Sequence, residues 1–227
     1  MLREPTNGVW QALAVRPELS GFVLVGGSAL ALHLNHRISE DLDFAWPHPR
    51  LPRDVLHQMT KAGSGLKFES YQDPWAQREA YDCGLNLDDF SQNFFVNDLV
   101  KVTFFCPDTP EIKILSPTSG DALRIATVPE IFAMKALVSA KRSKTRDWFD
   151  LYVLMKHHGF SWKDFYETFV RAGCEGQYDY AAELLSTAHP SRSDEGYDAL
   201  LPNPPTIEEM RAFFLQRRNA YERGEDR

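Results

Sequence analysis

Apolar and polar positions change texture once along the chain. In the first part, apolar runs are short and often alternate with polar residues. After Val128 they recur at three- and four-residue intervals. NGVWQALAVRPEL reads as an opening helix, and GFVLVG as a short β-branched strand ended by glycine. SALALHLN supplies helix formers behind Ser28, which has the chemistry of an N-cap. DLDFAW alternates acid and apolar from Asp41 to Phe44, the pattern of a strand with one polar face. PRDVLHQMTKAG predicts a helix closed by Gly63. Between Leu66 and Ile125, the segments LKFESYQ, CGLNLDDF, LVKVTFF, EIKIL and ALRIAT predict strands of an antiparallel or mixed sheet.

Beyond Val128, PEIFAMKALVSAKR places Pro129 at a helix start and predicts an amphipathic helix. KTRDWFDLYVLMKHHG is a second helix stopped by Gly159, and SWKDFYETFVRAG a third. TAHPSRSDEGYDALLPNPP is a long loop rich in Pro, Ser and Gly. TIEEMRAFFLQRRNAYERG predicts the last helix, opened by a Thr206–Glu209 capping box, and the final EDR is expected to fray. The expected fold is α/β (α+β). Residues 1–127 form a mixed sheet with flanking helices, and residues 128–227 a helical C-terminal domain.

Composition narrows this picture. Hydrophobic residues make up 43% of 227, enough for a packed core. No apolar run approaches the roughly 20 residues that span a bilayer. MLREPTNGVW carries acid early and has no apolar h-region, so neither a membrane span nor a secretory signal is expected. Cys83, Cys106 and Cys174 are scattered, which points to reduced thiols in a cytoplasm rather than a disulfide frame or zinc site. The net charge of -7 argues against an overall basic nucleic-acid coat. Lys141, Arg142, Lys144 and Arg146 form one basic cluster, either a dock for a polyanion or an ordinary solvated turn.

The candidate chemistry lies in VGGSALALHLNHRISEDLDFAW. On a strand, residues i and i+2 face the same side, so Asp41 and Asp43 point together. Two like charges that close are unfavourable unless a cation joins them, and magnesium takes carboxylates together with phosphate oxygens. Upstream, Gly26, Gly27 and Ser28 lie between a strand and a helix N-terminus. There a phosphate can approach the backbone and its free N–H groups. Gly-Gly alone is a turn and Asp-x-Asp alone a strand edge. In this order they are the parts of a nucleoside-triphosphate site.

GGSALALHLNHRISEDLDF resembles the first motif of the nucleotidyltransferase superfamily. It is most similar to the version in the abortive-infection AbiEii/AbiGii-type toxin family of type IV toxin–antitoxin systems. His36 to Phe44 carry the closest likeness. MKALVSAKRSKTRDWFDLYVL resembles the family's downstream helical motif at Lys135, Arg142, Arg146, Asp147 and Asp150. The two motifs and their surroundings cover roughly residues 20–160, and the last 65 or so match nothing recognisable. The resemblance implies a nucleotidyltransferase-like core and a Mg²⁺ (or Mn²⁺) site on Asp41 and Asp43. It also implies catalytic roles for Asp41, Asp43, Lys135 and Asp147, with Asp147 as base or orienting group. Nucleotide contacts are implied for Gly26, Gly27, Ser28, Arg37, Lys135, Arg142 and Asp150. The implied reaction moves an NMP from an NTP to an acceptor hydroxyl, tRNA or another RNA, in a cytoplasmic toxin balanced by a cognate antitoxin.

Thr103 departs from the pattern. Relatives often have a third carboxylate after Lys-Val, and a hydroxyl cannot replace it as base. Asp88, Asp89 and Asp98 are nearby acids, although Asp98 reads as a turn residue. Two other classes therefore stay open: a catalytically degenerate nucleotide-binding or interaction protein, and an enzyme modifying a small hydroxylated cation of the aminoglycoside type. His33 and His36 are read as surface or nucleotide contacts rather than metal ligands, for want of a third ligand. His157 and His158 suit a helix C-terminus.

Overall fold

The computed structural model describes residues 2–61, 65–116, 123–188, 190 and 203–225. Gly63, most of the loop before Thr206 and the last two residues lie outside the described residues, and with them the closure, loop and fraying expected there. The chain divides into two compact units. One comprises Met1–Asp108 and Leu115–Ala126, the other Thr109–Ile114 and Thr127–Arg227.

The first unit contains α1 (Thr6–Ala14), β1 (Val23–Val25), α2 (Gly26–Leu34), β2 (Leu42–Ala45), α3 (Arg53–Lys61), β3 (Phe68–Ser70), α4 (Pro74–Asp82), β4 (Ser91–Val96), β5 (Val100–Phe105) and β6 (Arg124–Ile125). Its six strands run β3-β4-β5-β2-β1-β6. β1 pairs with β2, β3 with β4 and β4 with β5 antiparallel, whereas β1–β6 and β2–β5 are parallel. Alternation along the strands sorts the two faces. Leu42 and Phe44 of β2 lie beside Val102 and Phe104 of β5, which oppose Phe94 and Gln92 of β4. The apolar members are buried, and Phe104 meets the rings of Phe44, Phe22 and Phe94 at 5.3, 5.6 and 6.1 Å. Each fully buried ring of this kind is worth about 1.5–3 kcal/mol. The intervening residues, Asp43, Thr103 and Asn93, line the opposite face.

The second unit holds α5 (Thr109–Ile112), α6 (Val128–Ser139), α7 (Thr145–His157), α8 (Trp162–Ala172), α9 (Tyr178–Thr187) and α10 (Ile207–Glu222). Capping boxes open α6 at Thr127, α8 at Ser161 and α10 at Thr206. α6 packs against α7, α8 and α9. Trp148 of α7 meets Phe214 of α10 edge-on at 5.8 Å, and Trp162 donates to the Tyr178 hydroxyl at 2.9 Å.

Several expectations are corrected. Ser28 is the third residue of α2, not its cap; its hydroxyl donates to the Asp41 carbonyl instead. CGLNLDDF is not a strand: it follows α4 and ends in a short 3-10 turn at Leu87–Asp89. α4 gave no periodic signal because it buries none of its residues; Asp73 caps it by accepting from the Trp75 N–H. EIKIL alternates like a strand, but Glu111 and Ile112 belong to α5, with Pro110 in its first turn. Its side chains serve the helical unit: Glu111 meets Lys141 at 2.9 Å, and Lys113 donates to the Ala172 carbonyl at 3.1 Å. α6 is not amphipathic, because Glu130 through Leu137 are all buried. β4 and α9 were not expected as elements.

Candidate active site

β1 is buried at all three residues and ends where α2 begins. Gly26 makes the turn at φ +72, in the left-handed region that favours glycine. A Cβ there would stand 3.0 Å from Asp43 Oδ2. A Cβ on Gly27 would stand 2.3 Å from Arg37 Nη2 and 3.0 Å from Ser39 Oγ. Both glycines thus admit side chains of the 37–43 segment to the start of α2. Arg37 is itself buried, and its Nη1 donates to the Ile38 carbonyl at 2.9 Å. The Ser28 hydroxyl ties the same segment to α2 at Asp41.

Asp41 immediately precedes β2 and Asp43 lies within it. Leu42 between them is fully buried while both acids are partly exposed, so the alternation carries through all three. Two carboxylates on one side would leave most of an octahedral shell to water and phosphate oxygens, the donor set magnesium takes. Among the described residues, no group of three or more His, Cys, Asp or Glu side chains stands together as a metal cluster.

Thr103 lies directly beside Asp43 in the parallel pairing of β2 and β5. Its hydroxyl donates to Asn93 Oδ1 at 3.0 Å, Asn93 Nδ2 donates to Gln72 Oε1 at 3.2 Å, and Gln72 Nε2 donates to Asp88 Oδ1 at 2.9 Å. A neutral chain thus fills the place where a third carboxylate was sought. Asp98 sits at φ 61 in the β4–β5 turn and pairs with Lys67 at 2.7 Å, and Asp89 pairs with Arg53 at 3.1 Å. Only Asp88 of the three joins that chain, through two amides. His33 is exposed, and its Nε2 hydrogen-bonds the Ala126 carbonyl at 2.8 Å.

The second motif forms a buried ion cluster within the helical unit. Lys135 Nζ lies 2.5 Å from Asp147 Oδ1 and 2.8 Å from Asp150 Oδ2. Arg142 Nε meets Asp147 Oδ2 at 2.9 Å. The side chains of Lys135, Asp147 and Asp150 are 8%, 3% and 0% exposed, against 47% for Arg142. Burial pushes the Asp147 carboxyl up, but the charges and hydrogen bonds of Lys135 and Arg142 outweigh it and hold the group below the ordinary aspartate value. The carboxylate is thus held between two cations, the geometry of a group that orients them. Arg142 is the cation this cluster presents outward.

Sequence reasoning missed Asn93 because β4 was not read as a strand, and with it the partner that Gln72 of LKFESYQ finds there. The signal was present: Asn97 and Asp98, both at positive φ, turn the chain so that the Leu99 N–H returns to the Val96 carbonyl at 3.2 Å. A hairpin at that turn would have set Asn93 against Thr103.

The molecule is a mixed α/β protein that carries an acid pair on an open sheet face beside a glycine-started helix. Residues 9–217 match the family described as "Nucleotidyl transferase AbiEii toxin, Type IV TA system", and the chain belongs to that family. The match extends well beyond residues 20–160, to most of the helical unit. The chain is also 29% identical over 146 residues to an uncharacterised protein of Aquifex aeolicus (strain VF5), covering 63% of this chain and 62% of that one. The crystal structure of the Megavirus polyadenylate synthase aligns with a TM-score of 0.41 at 14% identity, over 69% of this chain and 33% of that one. The chain thus spans less than two thirds of either.

Proposed function

We propose that this protein is a divalent-metal-dependent nucleotidyltransferase that moves an NMP from an NTP to an acceptor hydroxyl of an RNA. The observation that supports the reading is the approach of Asp43 Oδ2 to Gly26, which sets a carboxylate at the glycine-opened start of α2. Asp41 and Asp43 would hold Mg²⁺ or Mn²⁺, which when bound neutralises charge on the transferring phosphoryl group. Gly26 and Gly27 leave backbone N–H groups of α2 for the triphosphate, and Arg37 adds a guanidinium against Gly27. Ser28 positions Asp41 through its carbonyl. In the helical unit, Arg142 is the cation offered to a polyphosphate. Asp147 orients it, and Lys135 and Asp150 support Asp147.

The acceptor oxygen forms a bond to the α-phosphorus, the bond to the bridging oxygen breaks, and pyrophosphate leaves. The hydroxyl proton passes to water. A loose transition state asks little of a general base, so Thr103 in place of a third acid does not forbid the reaction. The family's description as a toxin of a type IV system makes a cognate antitoxin the expected partner. Among the described residues, no helix is long and apolar enough to cross a membrane.

Pyrophosphate release and label transfer to total RNA from each NTP, radiolabelled at the α-phosphate, test the proposal. Transfer that needs Mg²⁺ and is abolished by Asp43→Asn is expected; transfer that survives Asp43→Asn would overturn the assignment. A second reading, nucleotide binding without catalysis, is favoured by the neutral Thr103–Asn93–Gln72 chain. It predicts Asp43-dependent NTP binding with no pyrophosphate released. The net charge of -7 favours a cationic small acceptor of the aminoglycoside type, which the same assay tests when one replaces RNA.

A further inference from the structure

The sheet face that carries Asp43 continues across β5, β4 and β3. Asp43 lies beside Thr103, which opposes Asn93, and the Tyr71 N–H bonds the Asn93 carbonyl at 2.8 Å. One rung on, Lys101 opposes Phe95, which opposes Glu69. By alternation Lys101, Phe95, Glu69 and Tyr71 share the face of Asp43 and Thr103, away from the Phe44–Phe104 core, and Glu69 is exposed with its carboxylate 3.8 Å from Lys67 Nζ. Two of these residues are aromatic and neither is covered: Tyr71 is 53% exposed and Phe95 36%. Their ring centroids stand 5.5 Å apart in an edge-to-face pair. Lys101 is exposed between them and the acids. Strands spaced about 4.8 Å with a rise of about 3.3 Å per residue put Lys101 about 8 Å and Phe95 about 12 Å from Asp43.

Exposed aromatic pairs on an open sheet face are stacking surfaces for unpaired nucleobases, and a cation beside them meets the phosphate between bases. From this juxtaposition we propose that Tyr71 and Phe95 form a platform for a nucleobase of the single-stranded RNA acceptor, with Lys101 on its backbone, so that the strand runs over the sheet face toward Asp43. The proposal rests on the transferase reading for its direction toward the acids. The platform itself is tested without NTP.

The probe is a fluorescein-labelled RNA octamer with a free 3′-hydroxyl, titrated by anisotropy against the full chain. Tyr71→Ala and Phe95→Ala are each expected to raise its Kd about 5- to 150-fold, while Tyr71→Phe, which keeps the ring, stays near wild type. Lys101→Gln is expected to lower the slope of log K against log salt by about 0.7. Titration of Mg·NTP into the same variants is expected to show less than a twofold change. Thermal melts of the partly exposed ring variants, matching wild type, exclude misfolding as the cause. Octamer binding equal in wild type and both alanine variants, or absent from wild type, overturns the platform. NTP affinity falling in parallel gives the rings to the incoming nucleotide and overturns the acceptor assignment. Ring-dependent octamer binding by a protein that binds no NTP upholds the platform and sinks the transferase reading.

Discussion

Replacing Lys135 by methionine removes a buried cation that contacts both Asp147 and Asp150. Asp147 keeps Arg142 at 2.9 Å, but Asp150, with a fully buried side chain, loses its 2.8 Å contact to Lys135. Methionine fits the volume, so the penalty is electrostatic. Removing one partner of a buried ion pair costs about 3–5 kcal/mol. That is a large part of the roughly 5–15 kcal/mol that holds a domain folded. Urea unfolding followed by tryptophan fluorescence suits the test, because Trp148 and Trp162 are buried in the helical unit. The double variant Lys135→Met, Asp150→Asn removes the buried carboxylate that loses the Lys135 ammonium and is expected to recover at least half of the loss at pH 7. A loss below about 1 kcal/mol, the value of an exposed pair, would refute the reasoning. So would a double variant no more stable than Lys135→Met.

Other outcomes follow from the same geometry. Gly27→Ala would push against the flexible end of Arg37, which stands 2.3 Å from the new Cβ. Its melting temperature is expected to stay close to wild type while the Kd for Mg·NTP rises; unchanged affinity would remove Arg37 from the site. Gly26→Ala adds the strain of φ +72, about 1–2 kcal/mol, and is expected to lower stability as well as affinity in a urea titration. Thr103→Asp would set a third carboxylate beside Asp43. It is expected to lower the melting temperature in chelator and to restore it with Mg²⁺ more than in wild type. Asp147, held below its ordinary value of 3.8, contributes stability that is full above that pH and is lost as pH falls through the lower folded value. The acid limb of a stability–pH curve is therefore expected to flatten in Asp147→Asn.

Features fixed by neighbours in sequence were legible. Because turn chemistry and period-two alternation act over a few residues, GFVLVG and DLDFA revealed two strands, the second carrying acids, and SALALHLN the helix between them, although that helix starts at Gly26, two residues before the Ser28 cap expected for it. Thr206 and Glu209 announced their capping box for the same reason. α4 was not read although Asp73 and Pro74 mark its start; it buries none of its residues, so no core-facing stripe drew the eye. EIKIL misled because its alternation is strand-like, whereas its partners, Lys141 with Glu111 and Ala172 with Lys113, come from distant helices. The spacing of Asp147 and Asp150 put both on one helix face. Nothing local showed that Lys135, on a helix buried nearly all round, is the charge between them. The side chain that Gly27 makes room for was also beyond local reading, since Arg37 returns to it across the length of α2.

The central claim is that Asp41 and Asp43 hold a metal for a nucleotide bound at the start of α2. Calorimetric titration of each NTP, with and without Mg²⁺, into wild type and Asp43→Ala tests it most directly. The account predicts binding of at least one NTP that requires both the metal and Asp43. Failure of all four NTPs to bind the folded wild-type chain in Mg²⁺, or binding undiminished in Asp43→Ala, would contradict it.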